Sequence, residues 1–191
     1  MSILRDSTEE AIATLRSLSG LEGALDHAAK IIRLSLFGGG KLLVCGNGGS
    51  AADGADFSTE FTCRFKQDRR PYPAMNLSVG GSLLTAIGND YDFTEVFARQ
   101  IRAFGQEGDI LVVFTTSGNS RNILRALEEA GRMNIQSIAF LGRGGGAATG
   151  LATVEMIVPC NTTARVQESQ KFLLHVLCEM LEEDLVRGGE A

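Results

Sequence analysis

The sequence predicts an α/β protein in which helices cover both faces of a parallel, five-stranded sheet. Short apolar and partly β-branched runs have the character of buried strands. These runs are 41–45, 74–78, 110–115, 136–141 and 153–158. Stretches with helical patterning separate them, and strands that alternate with helices form parallel sheets covered on both faces. We therefore expect a three-layer sandwich.

Helices are predicted before, between and after the strands, at 8–18, 21–37, 50–65, 82–104, 119–133, 145–150 and 163–187. The first two form a leading pair that ends at three successive glycines, 38–40. A chain of 191 residues has the length of one domain. We expect a single domain over 1–191, with the leading helices in 1–38 and the sheet core in 41–187.

Composition excludes several classes of protein. The formal net charge of −5 argues against a nucleic-acid binder, which normally carries a basic surface. No apolar run reaches the roughly 18 residues of a membrane span, and the acidic start is unlike a signal peptide. The four cysteines are widely separated and form no CxxC pair, which is typical of a reduced protein. We expect a soluble, cytoplasmic protein that contacts neither nucleic acid nor a membrane.

Two strands run into loops rich in glycine, serine, asparagine and threonine. The first strand is followed by GNGGSAAD and the third by TSGNSRN, and each loop opens a helix. In a doubly wound sheet of order 2-1-3-4-5, strands one and three are neighbours, and ligands bind outside their carboxyl ends. We therefore expect both loops to line one crevice.

A crevice of this kind is suited to phosphate. Helix N-termini present unpaired N–H groups, glycines allow close approach, and hydroxyl groups add donors. The serines and threonines of the loops could also act only as caps and turn residues. They are Ser50, Thr116, Ser117 and Ser120. Because two such loops are expected to converge, we favour phosphate binding.

Two nucleotide-binding motifs are incomplete or missing in the sequence, which narrows the class of phosphate ligand. Gly46, Gly48 and Ala51 match the dinucleotide pattern G-x-G-x-x-G/A, but no acidic residue follows the second strand to hold a ribose. No P-loop sequence G-x-x-x-x-G-K-[ST] occurs. A small phosphorylated metabolite is the remaining candidate.

Candidate catalytic residues lie on two predicted helices. Asp56 and Glu60 share one face of the helix after the first loop, which is either a solvated acidic face or part of the crevice. His175 follows Gln167 by eight residues, so a metal midway would be within reach of both side chains. His27 is interpreted as a core residue.

Four segments together resemble the phosphoheptose isomerases of the sugar isomerase (SIS) superfamily. They are CGNGGSAAD at 45–53, AIGNDY at 86–91, TTSGNS at 115–120 and ARVQESQKFLLH at 164–175. The resemblance covers nearly the whole chain. It implies a flavodoxin-like SIS fold and the isomerisation of sedoheptulose 7-phosphate to D-glycero-D-manno-heptose 7-phosphate, the first step toward nucleotide-activated heptose. It also implies a homotetramer with active sites between subunits, in which the N-terminal helices take part in assembly.

The resemblance assigns roles to individual residues. Those that would hold the sugar phosphate are Asn47, Gly48, Gly49, Ser50, Thr115, Thr116, Ser117 and Ser120. Asn89 and Asp90 would contact the sugar chain, with Arg64 a further substrate-side candidate. Glu60 would be the catalytic base and His175 its acid/base partner, and Glu60 and Gln167 would also contact substrate. The implied zinc ligands are Asp56, Glu60, Gln167 and His175.

Two positions depart from the family pattern. Asp56 stands where the family usually has histidine, and a carboxylate can bind zinc but adds negative charge. Gln170 stands where many members have histidine, and we assign it no role. Two alternatives stay open: an SIS isomerase of another ketose or amino-sugar phosphate, and a non-catalytic relative that binds the replication initiator. Retention of Glu60, Gln167 and His175 favours an enzyme.

Overall fold

The computed structural model describes residues 2–188. A parallel five-stranded sheet forms the centre of the protein. The strands are β1 Leu42–Gly46, β2 Ala74–Asn76, β3 Ile110–Thr115, β4 Gln136–Leu141 and β5 Val154–Ile157. All neighbouring strands are parallel, and their order is β2-β1-β3-β4-β5. The predicted fold class and strand order are confirmed.

Helices lie on both faces of the sheet. The α-helices are α1 Ile3–Ser17, α2 Glu22–Phe37, α3 Gly49–Thr62, α4 Gly81–Asp90, α5 Ala98–Phe104, α6 Arg121–Arg132 and α7 Thr163–Arg187. Short 3-10 helices cover Leu18–Leu21, Phe93–Glu95 and Arg143–Ala148. Between residues 2 and 188, no helix is both long enough and apolar enough to cross a bilayer.

The central strand β3 is buried on both faces, which explains its continuous apolar sequence. Val112 and Phe114 pack into the core formed with α2, α3 and α7, whereas Leu111 and Val113 pack into the core formed with α5 and α6. Phe114 stacks on Phe140 with ring centroids 4.4 Å apart. The helices that follow β1 and β3 therefore cover opposite faces, while their N-termini share one edge of the sheet.

The prediction of one helix over 82–104 is wrong, because this segment forms two helices, α4 and α5, with a break between them. Asp92 takes an extended conformation and accepts a hydrogen bond from the Thr94 N–H at 2.8 Å, which begins the short 3-10 helix. Glu95 then accepts hydrogen bonds from Arg102 at 2.6 Å and from Arg125 at 2.8 Å. These contacts fix the break against α5 and α6.

The helix predicted at 145–150 is also wrong. The segment is a 3-10 helix over Arg143–Ala148, and three glycines within it have φ values of +75°, +85° and +57°. Those values belong to the left-handed region, which residues with a side chain rarely adopt and an α-helix does not contain. The other predicted elements are present with shifted ends, and the first helix begins at Ile3.

Candidate active site

The loop between β1 and α3 consists of Asn47 and Gly48 alone. Gly48 has a φ of +55°, in the region that favours glycine. A Cβ at Gly46 would lie 2.5 Å from the Ser50 carbonyl oxygen, so that position also requires glycine. The chain can therefore turn from strand to helix at once, with the N–H groups of the first turn of α3 at the carboxyl edge of the sheet.

The first loop is hydrogen-bonded to the start of α6, the helix that follows the loop after β3. Gly46 pairs with Phe114 in the parallel register, so the two strands end side by side. The Asn122 side-chain amide donates to Asn47 Oδ1 at 2.8 Å, and the Asn47 amide donates to Asn122 Oδ1 at 2.9 Å. Sequence reasoning missed Asn122, whose only signal is an amide in the first turn of a helix after a Ser/Thr loop.

A cavity of about 100 Å³ lies between the two loops. Its lining residues are Asn47, Ser50, Phe114, Thr115, Thr116, Ser117 and Ser120. The prediction that both loops line one crevice is confirmed. None of these lining residues is a lysine or arginine, so the available donors are hydroxyls, an amide and the N-termini of α3 and α6. Such a site is suited to a small anion.

The glycine-rich segment after β4 supports the second loop. A Cβ at Gly118 would lie 1.8 Å from the Gly145 carbonyl oxygen, so the two backbones are in direct contact. The Ala148 N–H donates to the Gly118 carbonyl at 3.0 Å, and the Ala147 N–H donates to Asn119 Oδ1 at 3.0 Å. The segment, which had no function assigned from sequence, thus holds the loop that carries Ser117 and Ser120.

Gln170 braces the same edge from the other side. Its side chain is fully buried, and its amide donates to the carbonyl oxygens of Thr115 at 3.2 Å and Phe140 at 2.9 Å. These carbonyls belong to the adjoining strands β3 and β4. Gln170 therefore ties the strand end from which the second loop departs to α7, a role that sequence reasoning did not assign.

A groove of about 430 Å³ begins beside the first loop, between α3 and α7. It is lined by Gly49, Asp53, Gln167, Glu168 and Lys171. The Gln167 amide packs closely on Gly49, since a Cβ there would lie 2.2 Å from Gln167 Nε2. Gly49 precedes Ser50 of the small cavity, so the groove begins next to the cavity.

Glu60 and His175 lie further along the same two helices, and both are half-buried. The His175 ring stacks on Phe65 with centroids 6.0 Å apart. Burial chiefly raises the pKa of the Cys178 thiol, one helical turn after His175 on α7, and the Glu60 charge raises it further. Within residues 2–188 neither the Glu60 carboxylate nor the His175 ring makes a hydrogen bond or ion pair. Neither residue is among those that line the cavity or the groove.

Asp56 is engaged by a lysine that sequence reasoning missed. Lys171 Nζ forms an ion pair with Asp56 and lies 3.0 Å from Asp53 Oδ1. Burial alone would lower the pKa of Lys171, but the hydrogen bonds that its ammonium donates to Asp56 and Asp53, together with the charges of these carboxylates, raise it above its ordinary value. The ammonium is therefore charged at neutral pH.

The residues present do not form a ready metal site. Among the described residues, no three His, Cys, Asp or Glu side chains are grouped so that they could hold a metal ion. The four implied ligands, Asp56, Glu60, Gln167 and His175, include one carboxylate that is already paired with Lys171. Zinc binding therefore stays a prediction from the family resemblance. The arrangement of these four side chains does not support it.

The structure does not place Asn89, Asp90 or Arg64 at the cavity or the groove. Asn89 and Asp90 are exposed at the end of α4, where the Asn89 amide donates to Asp90 Oδ1 at 2.9 Å. Arg64 is exposed just beyond α3, and its guanidinium donates to the Lys66 carbonyl at 2.9 Å. Their roles toward substrate stay predictions, which require an approach from another subunit or a movement of these segments.

The chain is similar to known proteins over nearly its whole length. A family model described as an SIS domain matches residues 8–142. The chain is 44% identical over 191 residues to the phosphoheptose isomerase of Shewanella frigidimarina, covering 98% of this chain and 97% of the relative. It is 41% identical over 182 residues to that of Campylobacter concisus, covering 95% and 96%. A solved phosphoheptose isomerase structure from Francisella tularensis gives a TM-score of 0.91 at 36% identity, covering 96% of this chain and 100% of that one.

Proposed function

Because this chain belongs to the phosphoheptose isomerase family, we propose that it converts sedoheptulose 7-phosphate to D-glycero-D-manno-heptose 7-phosphate. The observation that supports the proposal is that two spaces begin at adjacent residues of α3, Gly49 and Ser50. A small cavity of neutral donors opens beside a groove whose helices carry a carboxylate and an imidazole. The reaction would form the aldose phosphate from which nucleotide-activated heptose is made.

The cavity accounts for the phosphate end of the substrate. Hydroxyls of Ser50, Ser117 and Ser120 and the N-termini of α3 and α6 can all donate to phosphate oxygens. With a net charge of −5, the protein relies on these local donors rather than on a basic surface. The seven-carbon chain would then extend from the cavity into the groove between α3 and α7.

Glu60 and His175 would perform the isomerisation. The Glu60 carboxylate removes a proton from C1 of the open-chain ketose, and the C1–H electron pair forms the C1–C2 double bond of an enediol. The proton of the O1 hydroxyl is removed and a proton is delivered to O2, for which an imidazole such as His175 is suited. Return of the first proton to C2 gives the aldehyde at C1. The reaction needs no external oxidant or reductant, because C1 is oxidised as C2 is reduced.

We also propose a cytoplasmic homotetramer. Support for assembly comes from an apolar groove of about 480 Å³ between α1, α2 and α7. Its apolar lining includes Leu15, Leu18, Leu25, Phe172 and Met180. Exposed apolar surface of this kind marks interaction sites. The four free cysteines are consistent with a reducing compartment.

Light scattering of the purified protein should give the mass of four 20.4-kDa chains. The measurement is made over a tenfold range of protein concentration, because a weak assembly dissociates on dilution and a strong one does not. A mass of one chain throughout that range would contradict the assembly.

The activity is tested by turnover. Purified protein is incubated with sedoheptulose 7-phosphate, and the heptose product is identified by NMR. We expect kcat/KM for this substrate to exceed that for fructose 6-phosphate and glucosamine 6-phosphate by about a hundredfold, which corresponds to about 2.7 kcal/mol. A preference for either of the shorter sugars would support the isomerase of another sugar phosphate. Absence of turnover with all three would contradict an enzymatic role.

A further inference from the structure

Lys171 lies on α7 midway between two of the implied metal ligands. It follows Gln167 by four residues and precedes His175 by four, so the three side chains project from neighbouring positions on one side of the helix. Its ammonium reaches α3, where it lies 3.0 Å from Asp53 Oδ1 and donates a hydrogen bond to Asp56. A third implied ligand, Asp56, is thus already partnered by a cation.

The two ion pairs differ in burial. The side chain of Asp53 is 9% exposed and that of Lys171 is 31% exposed, whereas that of Asp56 is 59% exposed. Within the described part of the chain, Lys171 is the only cation paired with Asp53. A buried carboxylate without a partner is strongly destabilising. Asp53 therefore holds the ammonium at this place, and the more solvated Asp56 adds a second contact.

A divalent ion at Asp56 would have to compete with this ammonium. Zinc usually takes four ligands, with oxygen and nitrogen donors at about 2.0–2.2 Å. Residues 2–188 contain no group of three His, Cys, Asp or Glu side chains that could hold a metal ion. The ammonium would also repel a second cation bound to the same carboxylate.

We propose that Lys171 is a positioning residue that supplies the fixed positive charge of the α3–α7 groove in place of a metal ion. It holds Asp53 and Asp56, and with them the turn of α3 that precedes Glu60, against the face of α7 that carries His175. Its side chain lines the groove next to the first loop. The effect of Lys171 on turnover rests on the proposed isomerase activity. Its effect on metal binding does not.

The first test measures metal in the wild-type protein. Protein dialysed against EDTA is re-equilibrated with micromolar zinc, and bound zinc is measured by mass spectrometry and by titration calorimetry. We expect well below one zinc per chain and the same turnover before and after EDTA. About one zinc per chain with sub-micromolar affinity would overturn the proposal, as would a turnover that is lost in EDTA and restored by zinc.

The second test compares Lys171→Met, Lys171→Arg and Lys30→Met. Lys30 is an exposed lysine of α2, so its replacement controls for the loss of one charge. We expect Lys171→Met to lower kcat by about tenfold or more, because small misplacements of catalytic groups are costly. KM should change much less, because the phosphate is bound in the separate cavity. Lys171→Arg should restore most of kcat, and Lys30→Met should resemble the wild type.

These outcomes separate the two proposals. A folded Lys171→Met with wild-type kcat would overturn the role of Lys171 while leaving the isomerase activity standing. A wild-type protein without turnover would contradict the proposed function, and the zinc measurement would still decide whether the lysine replaces the metal. If Lys171→Met does not fold, the zinc measurement on the wild type and the kcat of Lys171→Arg decide the inference, since neither needs the methionine variant.

Discussion

Replacing Glu60 by glutamine is expected to lower kcat for sedoheptulose 7-phosphate by about 10²–10⁴-fold, the usual contribution of a positioned general base. The amide has the size of the carboxylate but cannot accept the C1 proton. Glu60 is half-buried and makes no ion pair within residues 2–188, so its neutralisation leaves no buried cation unpaired. KM should therefore change little, and the melting temperature should stay close to that of the wild type.

The measurement is steady-state turnover together with exchange of the substrate C1 proton in D₂O. Glu60→Gln should lose both, whereas His175→Gln should lose turnover and keep part of the exchange, because it acts on the oxygens. Glu183→Gln on the exposed end of α7 is the matched control and should behave as wild type. Undiminished proton exchange in Glu60→Gln would show that another group is the base.

Replacing Gly118 by alanine should weaken substrate binding by distorting the second loop. Gly118 has a φ of +63°, and an added Cβ would lie 1.8 Å from the Gly145 carbonyl oxygen. Neither backbone can give way easily, because the Gly118 carbonyl also accepts from the Ala148 N–H. We expect a loss of about 2 kcal/mol or more in the free energy of unfolding, and a KM raised by about tenfold or more.

Gly131→Ala on α6 is the control, because a Cβ there meets nothing within 4 Å. Gly131 lies in the last turn of α6, so this change should stabilise the protein by less than the roughly 1 kcal/mol expected in a helix interior, and it should leave KM unchanged. Urea unfolding and steady-state kinetics of both variants test the expectation. A Gly118→Ala variant with wild-type KM would mean that the loop does not hold the phosphate.

The sheet was predictable because its strands are buried on both faces and therefore appear as continuous apolar runs, as in ILVVFT of β3. The two loops were predictable because strand order and parallel direction bring the ends of β1 and β3 to the same edge. The break before α5 was not predicted, although Asp92 followed three residues later by Glu95 is a signal for a helix start. Hydrophobic periodicity continues through that break and hides it.

Other parts of the site depend on contacts that sequence spacing does not show. Asn122 meets Asn47 across 75 residues, and Lys171 meets Asp56 across 115. A lysine on an amphipathic helix is most simply interpreted as a solvated residue, and only the packing of α3 against α7 shows what it faces. The glycines after β4 were also uninformative alone, because their role is contact with Gly118 rather than a motif of their own.

The reciprocal amide pair between Asn47 and Asn122 has a consequence for how substrates are selected. Two hydrogen bonds tie the loop after β1 to the start of the helix that follows the loop after β3, so a phosphate would meet a site whose two sides are already linked. Little ordering entropy is then lost on binding, and any phosphorylated sugar can anchor there equally well. Under the proposed mechanism, discrimination between sugars would arise at the opposite end of the substrate, where the length of the carbon chain would determine whether C1 reaches Glu60.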